Sequence, residues 1–239
     1  MKSPSKVPSP DQAIESSSVT PVAKVKILIV DDHPITRQGL KALITQHPEF
    51  EVCGEADSAP QAVDLLGKLK PDLVIVDITL KTTNGIELIK NLRAQSPQLR
   101  ILVVSMHDEN LYAERALRAG AQGYVMKQEA SDQIIPAIEK ILKGDLHLSA
   151  AVKDKILHRF VNNGGEKAVS AIETLSDREM EVFQLIGNGH STRQIATRLN
   201  LSTKTIDSYR EHLKIKLSLT TGSDLVQHAI QWVKSEGLV

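Results

Sequence analysis

Five side chains in this sequence stand where they could together handle a phosphoryl group: Asp31, Asp32, Asp77, Ser105 and Lys127. Asp31 and Asp32 follow the apolar run VKILIV, Asp77 closes LVIVD, Ser105 closes RILVVS, and Lys127 follows GYVM. Each lies at the carboxyl end of a strand-like segment, and in an open parallel sheet ligands bind beyond those ends, where the strand order reverses. Carboxylates gathered there raise one another's pKa or require a cation, and a few hard oxygen ligands suit Mg²⁺ that retains waters. A carboxylate nucleophile, a cation, an ammonium and a hydroxyl can hold a transferring phosphoryl group by position and charge. Taken singly, an acid at a strand end also caps the next helix or faces water, and a lone lysine is usually solvated.

The elements that must position these residues repeat along the first half of the chain. Short β-branched runs alternate with amphipathic segments: VKILIV, a helical period from Pro34 to Gln46, EVCGEA, LVIVD, RILVVS and GYVM, with further helical periods near 59–68, 84–95, 110–119 and 131–143. Continuous apolar strands separated by helices indicate a parallel sheet covered on both faces. The fold class is α/β, five parallel strands in a flavodoxin-like order over residues 25–145, followed by an all-α domain over 171–239. Residues 1–24, rich in Ser, Pro and Lys, read as a disordered tail, because they carry too little apolar surface to offset their ordering entropy. Residues 146–170 read as a linker with a helix at Ala151–Val161 and a turn-forming cluster at Asn162, Asn163, Gly164 and Gly165.

The last segment carries four helix starts. Ser176 with Glu179 has capping-box spacing, Ser191 precedes TRQIATRL, Ser202 precedes TKTIDSYREHLKIKL, and Gly222 or Ser223 opens a final helix. Thr192–Leu199 and Thr203–Leu217 form a helix, turn and helix, the arrangement that places one helix in a DNA major groove. Between residues 190 and 216 six Lys and Arg side chains stand against two acids, an excess compatible with phosphate contacts and equally with a solvated face. Ile195 and Leu199 pack against Ile206, Leu213 and Leu217, which leaves Lys204, Thr205, Ser208, Arg210, Glu211, His212 and Lys214 on the opposite face.

Composition sets wider bounds. Lys and Arg equal Asp and Glu at 29 each, so no global charge draws the chain to nucleic acid or membrane. One cysteine, Cys53, allows no internal disulfide, and its apolar surroundings suggest a core position. No apolar run is long enough to span a bilayer and no secretory leader follows Met1, which points to a cytoplasmic protein with no membrane partner.

Residues 25–143 resemble the receiver domain of bacterial response regulators, particularly the NarL/FixJ subgroup. VDDHP resembles the acidic pair, Asp77 the phosphoacceptor, Ser105 the switch hydroxyl, Tyr124 the switch aromatic and Lys127 the receiver lysine. The stretch from Leu175 to Leu217 resembles the LuxR-type helix-turn-helix, with Thr203–Leu217 as its recognition helix. The resemblance implies a non-enzymatic two-component regulator. Asp77 would be phosphorylated by a sensor histidine kinase, and Mg²⁺ would be held by Asp31, Asp32, Asp77 and Thr79. A homodimer would bind double-stranded DNA through Lys204, Thr205, Ser208, Arg210, His212 and Lys214. The chain departs from the family pattern at Lys81 and Gln128, where proline is frequent.

Other readings compete. An aspartyl-phosphate phosphatase also uses an aspartate at a strand end, but Asp77-Ile78-Thr79 lacks the second carboxylate for acid–base turnover. Neither a G-x-G-x-x-G turn nor a P-loop is present for a nucleotide enzyme. A signalling adaptor whose helical tail binds protein remains the alternative. His33 reads as a helix-start residue, Trp232 as core or a dimer seam, and Asn84-Gly85 as a turn into a helix.

Overall fold

The computed structural model describes residues 24–80, 84–162 and 171–235, and the expectations for the N-terminal tail, Lys81 and the Asn163–Gly165 turn fall outside them. The N-terminal half alternates β1 (Val25–Val30), α1 (Pro34–Thr45), β2 (Phe50–Ala56), α2 (Ala59–Leu69), β3 (Leu73–Val76), α3 (Gly85–Gln95), β4 (Arg100–Ser105), α4 (Glu109–Ala119), β5 (Gly123–Met126) and α5 (Ala130–Leu142). All strands are parallel, in the order β2-β1-β3-β4-β5, so the order reverses between β1 and β3. The crevice that opens at such a reversal lies at the ends carrying Asp31 and Asp77.

Alternate side chains of each strand serve opposite faces. Leu28, Val30, Val74, Val76, Ile101 and Val103 pack with α2, α3 and α4, while Ile27, Ile29, Leu73, Ile75, Leu102 and Val104 pack with α1 and α5. Cys53 is half-buried rather than core: β1 pairs Ile27 with Val52 and Leu28 with Gly54, so Cys53 falls in a one-residue register shift. Its thiol instead lies 3.4 Å from the Ile27 carbonyl.

After α5 the chain returns to the sheet edge, where Tyr124 N–H donates to the His147 carbonyl and His147 N–H to that of Gln122. Helix α6 (Ala150–Asn162) then packs on α4, with Val152 buried. The C-terminal half is α7 (Asp177–Gly187), α8 (Thr192–Arg198), α9 (Thr203–Lys216) and α10 (Gly222–Ser235), preceded by a short 3₁₀ turn at Ala171–Thr174. Ser176 and Ser191 complete capping boxes, and Ser202 accepts from the Thr205 N–H. The cap of α10 is Thr221, one residue before the expected start: Thr221 Oγ1 accepts from Asp224 N–H while Asp224 accepts from Thr221 N–H. Ile195, Leu199, Ile206, Leu213 and Leu217 are all buried together. Trp232 is half-buried, its ring 5.4 Å from that of Phe183.

The apolar layer over α4 does not end at the receiver-like half. It continues from Tyr112 and Leu148 through Leu175, Met180 and Phe183 into the helical half.

Two glycines test this packing. A Cβ on Gly187 would collide with Val233 and the Ala229 backbone, where α7 crosses α10, whereas one on Gly67 in α2 meets nothing. Gly187→Ala is expected to destabilise the C-terminal half by about 1–3 kcal/mol through overpacking. Gly67→Ala should be neutral or stabilising by up to about 1 kcal/mol, because alanine has the better helix propensity. Urea unfolding of both variants checks the contrast.

Candidate functional site: an acidic crevice and its link to the helical half

Strands β1 and β3 end in the crevice, and the short chain beyond β5 brings Lys127 across it. Lys127 Nζ donates to Asp77 Oδ2 at 2.6 Å and lies 2.7 Å from Asp31 Oδ2, with both aspartate side chains only 2% exposed. Burial pushes the Asp77 carboxyl up to about 6 against the opposing pull of Lys127, and the Asp31 charge pushes the same way as burial. Lys127 is shifted upward: its burial opposes charge, but the two aspartates outweigh it.

Asp31, Asp32, His33 and Asp77 each bring a ligand atom within 4.8 Å of the others. Asp31 Oδ2 has the Lys127 ammonium at 2.7 Å and Asp32 Oδ1 the His33 ring at 2.7 Å, so the three clustered carboxylates share one lysine and can still accept a further positive charge. That donor set fits a hard divalent cation. His33 departs in part from the helix-start expectation. It occupies the N-cap of α1 but makes no side-chain cap bond, and its Nδ1 lies 2.7 Å from Asp32 and 3.2 Å from Asp31. Its main-chain N–H donates to Asp31 Oδ1.

Thr79 lies two residues past Asp77, and its N–H donates to Asp77 Oδ1 at 3.3 Å. The reversal after it depends on Gly85, where a Cβ would collide with the Asp77 carbonyl. Asn84 caps α3 by accepting from Ile86 N–H, in keeping with the Asn84-Gly85 reading. Ser105 is fully buried at the end of β4, and its hydroxyl accepts from His107 N–H at 3.3 Å. Tyr124 is buried beside it and donates from its hydroxyl to the His107 carbonyl.

Residues that composition and spacing did not single out join this crevice to α7. His107 Nε2 is hydrogen-bonded to Thr79 Oγ1 at 2.9 Å, its ring stacks obliquely on Tyr112, and Glu181 of α7 lies 3.8 Å away. Burial and the nearby Arg198, Lys127 and Arg178 lower the imidazole to about 4, so it is neutral at physiological pH. Asp177 at the start of α7 sits between Arg115 of α4 at 3.1 Å and Lys90 of α3 at 3.5 Å. Arg115 also donates to the Leu175 carbonyl, and Tyr112 to Gln184. No local period singles these residues out, because His107 lies in the loop between β4 and α4 and the others pair across the two halves.

Helix α9 has Lys204, Ser208 and His212 exposed, but Thr205, Arg210 and Lys214 are half-buried, so the polar face is narrower than expected. Lys214 pairs with Glu211 at 2.9 Å and Thr205 Oγ1 bonds to Ser202. Among the described residues, none of the interactions between the halves falls on the α9 face that carries Lys204 and Ser208.

A parallel five-stranded sheet with a buried aspartate, an acid pair, a hydroxyl and a lysine at its switch point defines a phosphoacceptor receiver, here carrying a helix-turn-helix. The chain belongs to the response regulators with a LuxR-type C-terminal domain: residues 27–139 match the response regulator receiver domain, and residues 173–229 the bacterial regulatory proteins of the luxR family. It is 32% identical over 207 residues to the transcriptional regulatory protein MctR of Rhizobium johnstonii, covering 87% of this chain and 94% of that one. It is 31% identical to the transcriptional regulatory protein DegU of Brevibacillus brevis, over 88% and 96% of the two chains. Among solved structures, RcsB of Salmonella enterica bound to a promoter with a phosphomimetic is 28% identical, with a TM-score of 0.57 over 86% of this chain and 98% of that one.

The upward shift of Asp77 has a stability consequence. A carboxyl with a raised folded pKa stabilises most when protonated, below its unfolded value near 4, and that contribution is lost as pH rises through about 6. In chelator at pH 7.5, Asp77→Asn is therefore expected to be more stable than the parent by about 1–3 kcal/mol, and the difference should vanish towards pH 4. Thermal unfolding across that range checks it, and a destabilised Asp77→Asn at pH 7.5 would contradict the assignment.

Proposed function

We propose that the chain is a phosphorylation-dependent transcriptional regulator. A sensor histidine kinase transfers a phosphoryl group to Asp77, and the modified receiver controls binding of α9 to double-stranded promoter DNA. The observation that carries this reading is the buried Asp77 carboxylate, 2.6 Å from Lys127 and joined to Asp31 through the same ammonium, in one chain with a capped helix-turn-helix. Asp31, Asp32, Asp77 and the main chain at Thr79 would hold Mg²⁺, which when bound supplies charge neutralisation for the transferring phosphoryl oxygens.

The protein's own groups do the rest. Asp77 is the nucleophile, and its ionised form is the competent one. Lys127 already contacts the acceptor carboxylate and is placed to bind phosphoryl oxygens once the carboxylate is esterified. The Ser105 hydroxyl, held now by His107 N–H, can turn to the phosphoryl group, and Tyr124 fills the space behind it. The absence of a second carboxylate at Thr79 favours storage of the phosphoryl group over rapid turnover, so the protein acts as a switch and not as an enzyme.

Lys204, Thr205, Ser208, Arg210, His212 and Lys214 are the proposed DNA contacts, with Lys204, Ser208 and His212 the exposed ones. One such helix covers a few base pairs, so specific binding calls for a homodimer on paired half-sites. Among the described residues no helix is long and apolar enough to cross a membrane, and a DNA partner places the protein in the cytoplasm.

Two measurements test the reading. With Mg²⁺ and a small phosphodonor, affinity for promoter DNA should rise about tenfold or more, within the usual range of allosteric coupling, and Asp77→Asn should abolish the rise. Lys204→Ala should weaken binding to any duplex and reduce the slope of log affinity against log salt by about one. An unchanged slope would remove Lys204 from the interface, and binding of the helical half to protein but never to DNA would favour the adaptor alternative.

A further inference from the structure

The proposed function leaves open how a phosphoryl group on Asp77 reaches the helical half. Residue 107 lies on the boundary and is held from several directions at once. Its main-chain N–H donates to Ser105 Oγ, and its carbonyl accepts from Tyr124. Its Nε2 is bonded to Thr79 Oγ1, two residues from the acceptor, and its ring lies 4.6 Å from that of Tyr112. From the same Nε2 the polar path continues: Glu181 Oε1 at 3.8 Å, Arg178 at 2.6 Å from Glu181, and the Leu199 carbonyl at 3.2 Å from Arg178. Leu199 is the C-cap of α8, immediately before the turn into α9.

We propose that His107 is the positioning residue that transmits the state of Asp77 to α7: its Nε2 bonds the Thr79 hydroxyl and faces Glu181, and its ring rests on Tyr112. The inference rests on the phosphorylation-dependent reading above and assigns it a route. The residue cannot keep all its partners once the acceptor is esterified. A phosphoryl group that recruits Ser105 Oγ takes away the acceptor of His107 N–H, and a tetrahedral anion beside Thr79 displaces the loop that carries the hydroxyl bonded to Nε2. A buried imidazole that loses a partner must find another or move, because an unsatisfied buried polar group is costly. Movement of the ring changes the surface on which Tyr112 and Glu181 meet α7. Glu181 is 2% exposed and, among the described residues, has Arg178 alone close enough for a hydrogen bond, so it tolerates little displacement.

Spatial continuity alone does not establish coupling, so the test reads coupling directly. The full chain is titrated with a random-sequence duplex, with and without beryllofluoride and Mg²⁺ as the phosphoryl mimic, and ¹⁹F NMR confirms occupancy of Asp77. Two variants are compared with the parent: His107→Phe keeps an aromatic ring against Tyr112 but lacks the nitrogen, and His107→Gln offers a side-chain amide in place of Nε2. Thermal unfolding verifies that each is folded.

In the parent, beryllofluoride should raise DNA affinity about tenfold. In His107→Phe the mimic should still bind while the rise falls to under about threefold, with the affinity of the free protein within about twofold of the parent. His107→Gln should recover most of the rise. A His107→Phe protein that responds as the parent does overturns the proposal. So does one that binds DNA as tightly without the mimic as the parent does with it, since His107 would then merely hold the halves together. Loss of beryllofluoride binding in His107→Phe overturns it too, by making His107 part of the phosphoryl pocket. If the parent itself shows no response to the mimic, the phosphorylation-dependent reading fails first. Should either variant not fold, the other decides: a folded His107→Gln with no response to the mimic overturns the proposal as well.

Discussion

One ammonium group holds the crevice together. Asp31 and Asp77 end neighbouring strands of a sheet whose interior excludes water, and two buried carboxylates at that separation repel. Lys127, only 9% exposed, lies within hydrogen-bond distance of both and makes the pair tolerable. Its position follows from β5, which places the start of the next turn over the ends of β3 and β1. The arrangement is under-compensated all the same: Asp77 titrates far above an ordinary aspartate, and one ammonium serves two carboxylates with a third, Asp32, beside them. A site left in that condition binds a cation or a new anion-stabilising group with part of the desolvation already incurred.

The second dependence is the docking of α7 on α3 and α4. Asp177 is both the first residue of α7, where an acid suits the helix dipole, and the partner of Arg115 and Lys90 on the other half. A single aspartate therefore stabilises a helix end locally and the domain contact globally. The contact leaves the outer face of α9 open. Any effect of docking on DNA binding must thus come from where the receiver stands relative to the duplex or to a second copy, and not from covering Lys204 and Ser208.

Much of this was legible in the chain. The alternation of apolar runs with helical periods yields all five strands and the helices that cover them, since a parallel sheet buried on both faces needs continuous apolar strands. Strand-end positions alone bring Asp31, Asp77, Ser105 and Lys127 to one edge. The capping boxes at Ser176 and Ser191 are read directly from residue type and spacing. What was not legible depends on contacts between distant segments. Cys53 looks like core until the register of β1 and β2 is known, and His33 looks like a cap until its ring is placed against Asp32. The narrowing of the α9 face requires the packing of Arg210 and Lys214, which no local period encodes. His107, Glu181 and Arg115 become informative only when α7 is laid on α4, because their partners in the other half lie between 57 and 74 residues away.

The apolar layer that runs without a break from β1 and α4 into α7 and α9 makes the docked molecule a single cooperative body, although each half has a recognisable fold of its own. Neighbouring units that share a core melt together, and units that meet only through a chain connection melt apart. The number of heat-absorption transitions then reports whether the halves are docked: one for the docked protein, two for a protein in which α7 is separated from α4. Calorimetry thereby counts undocked molecules without a DNA target, a kinase or any knowledge of the stimulus.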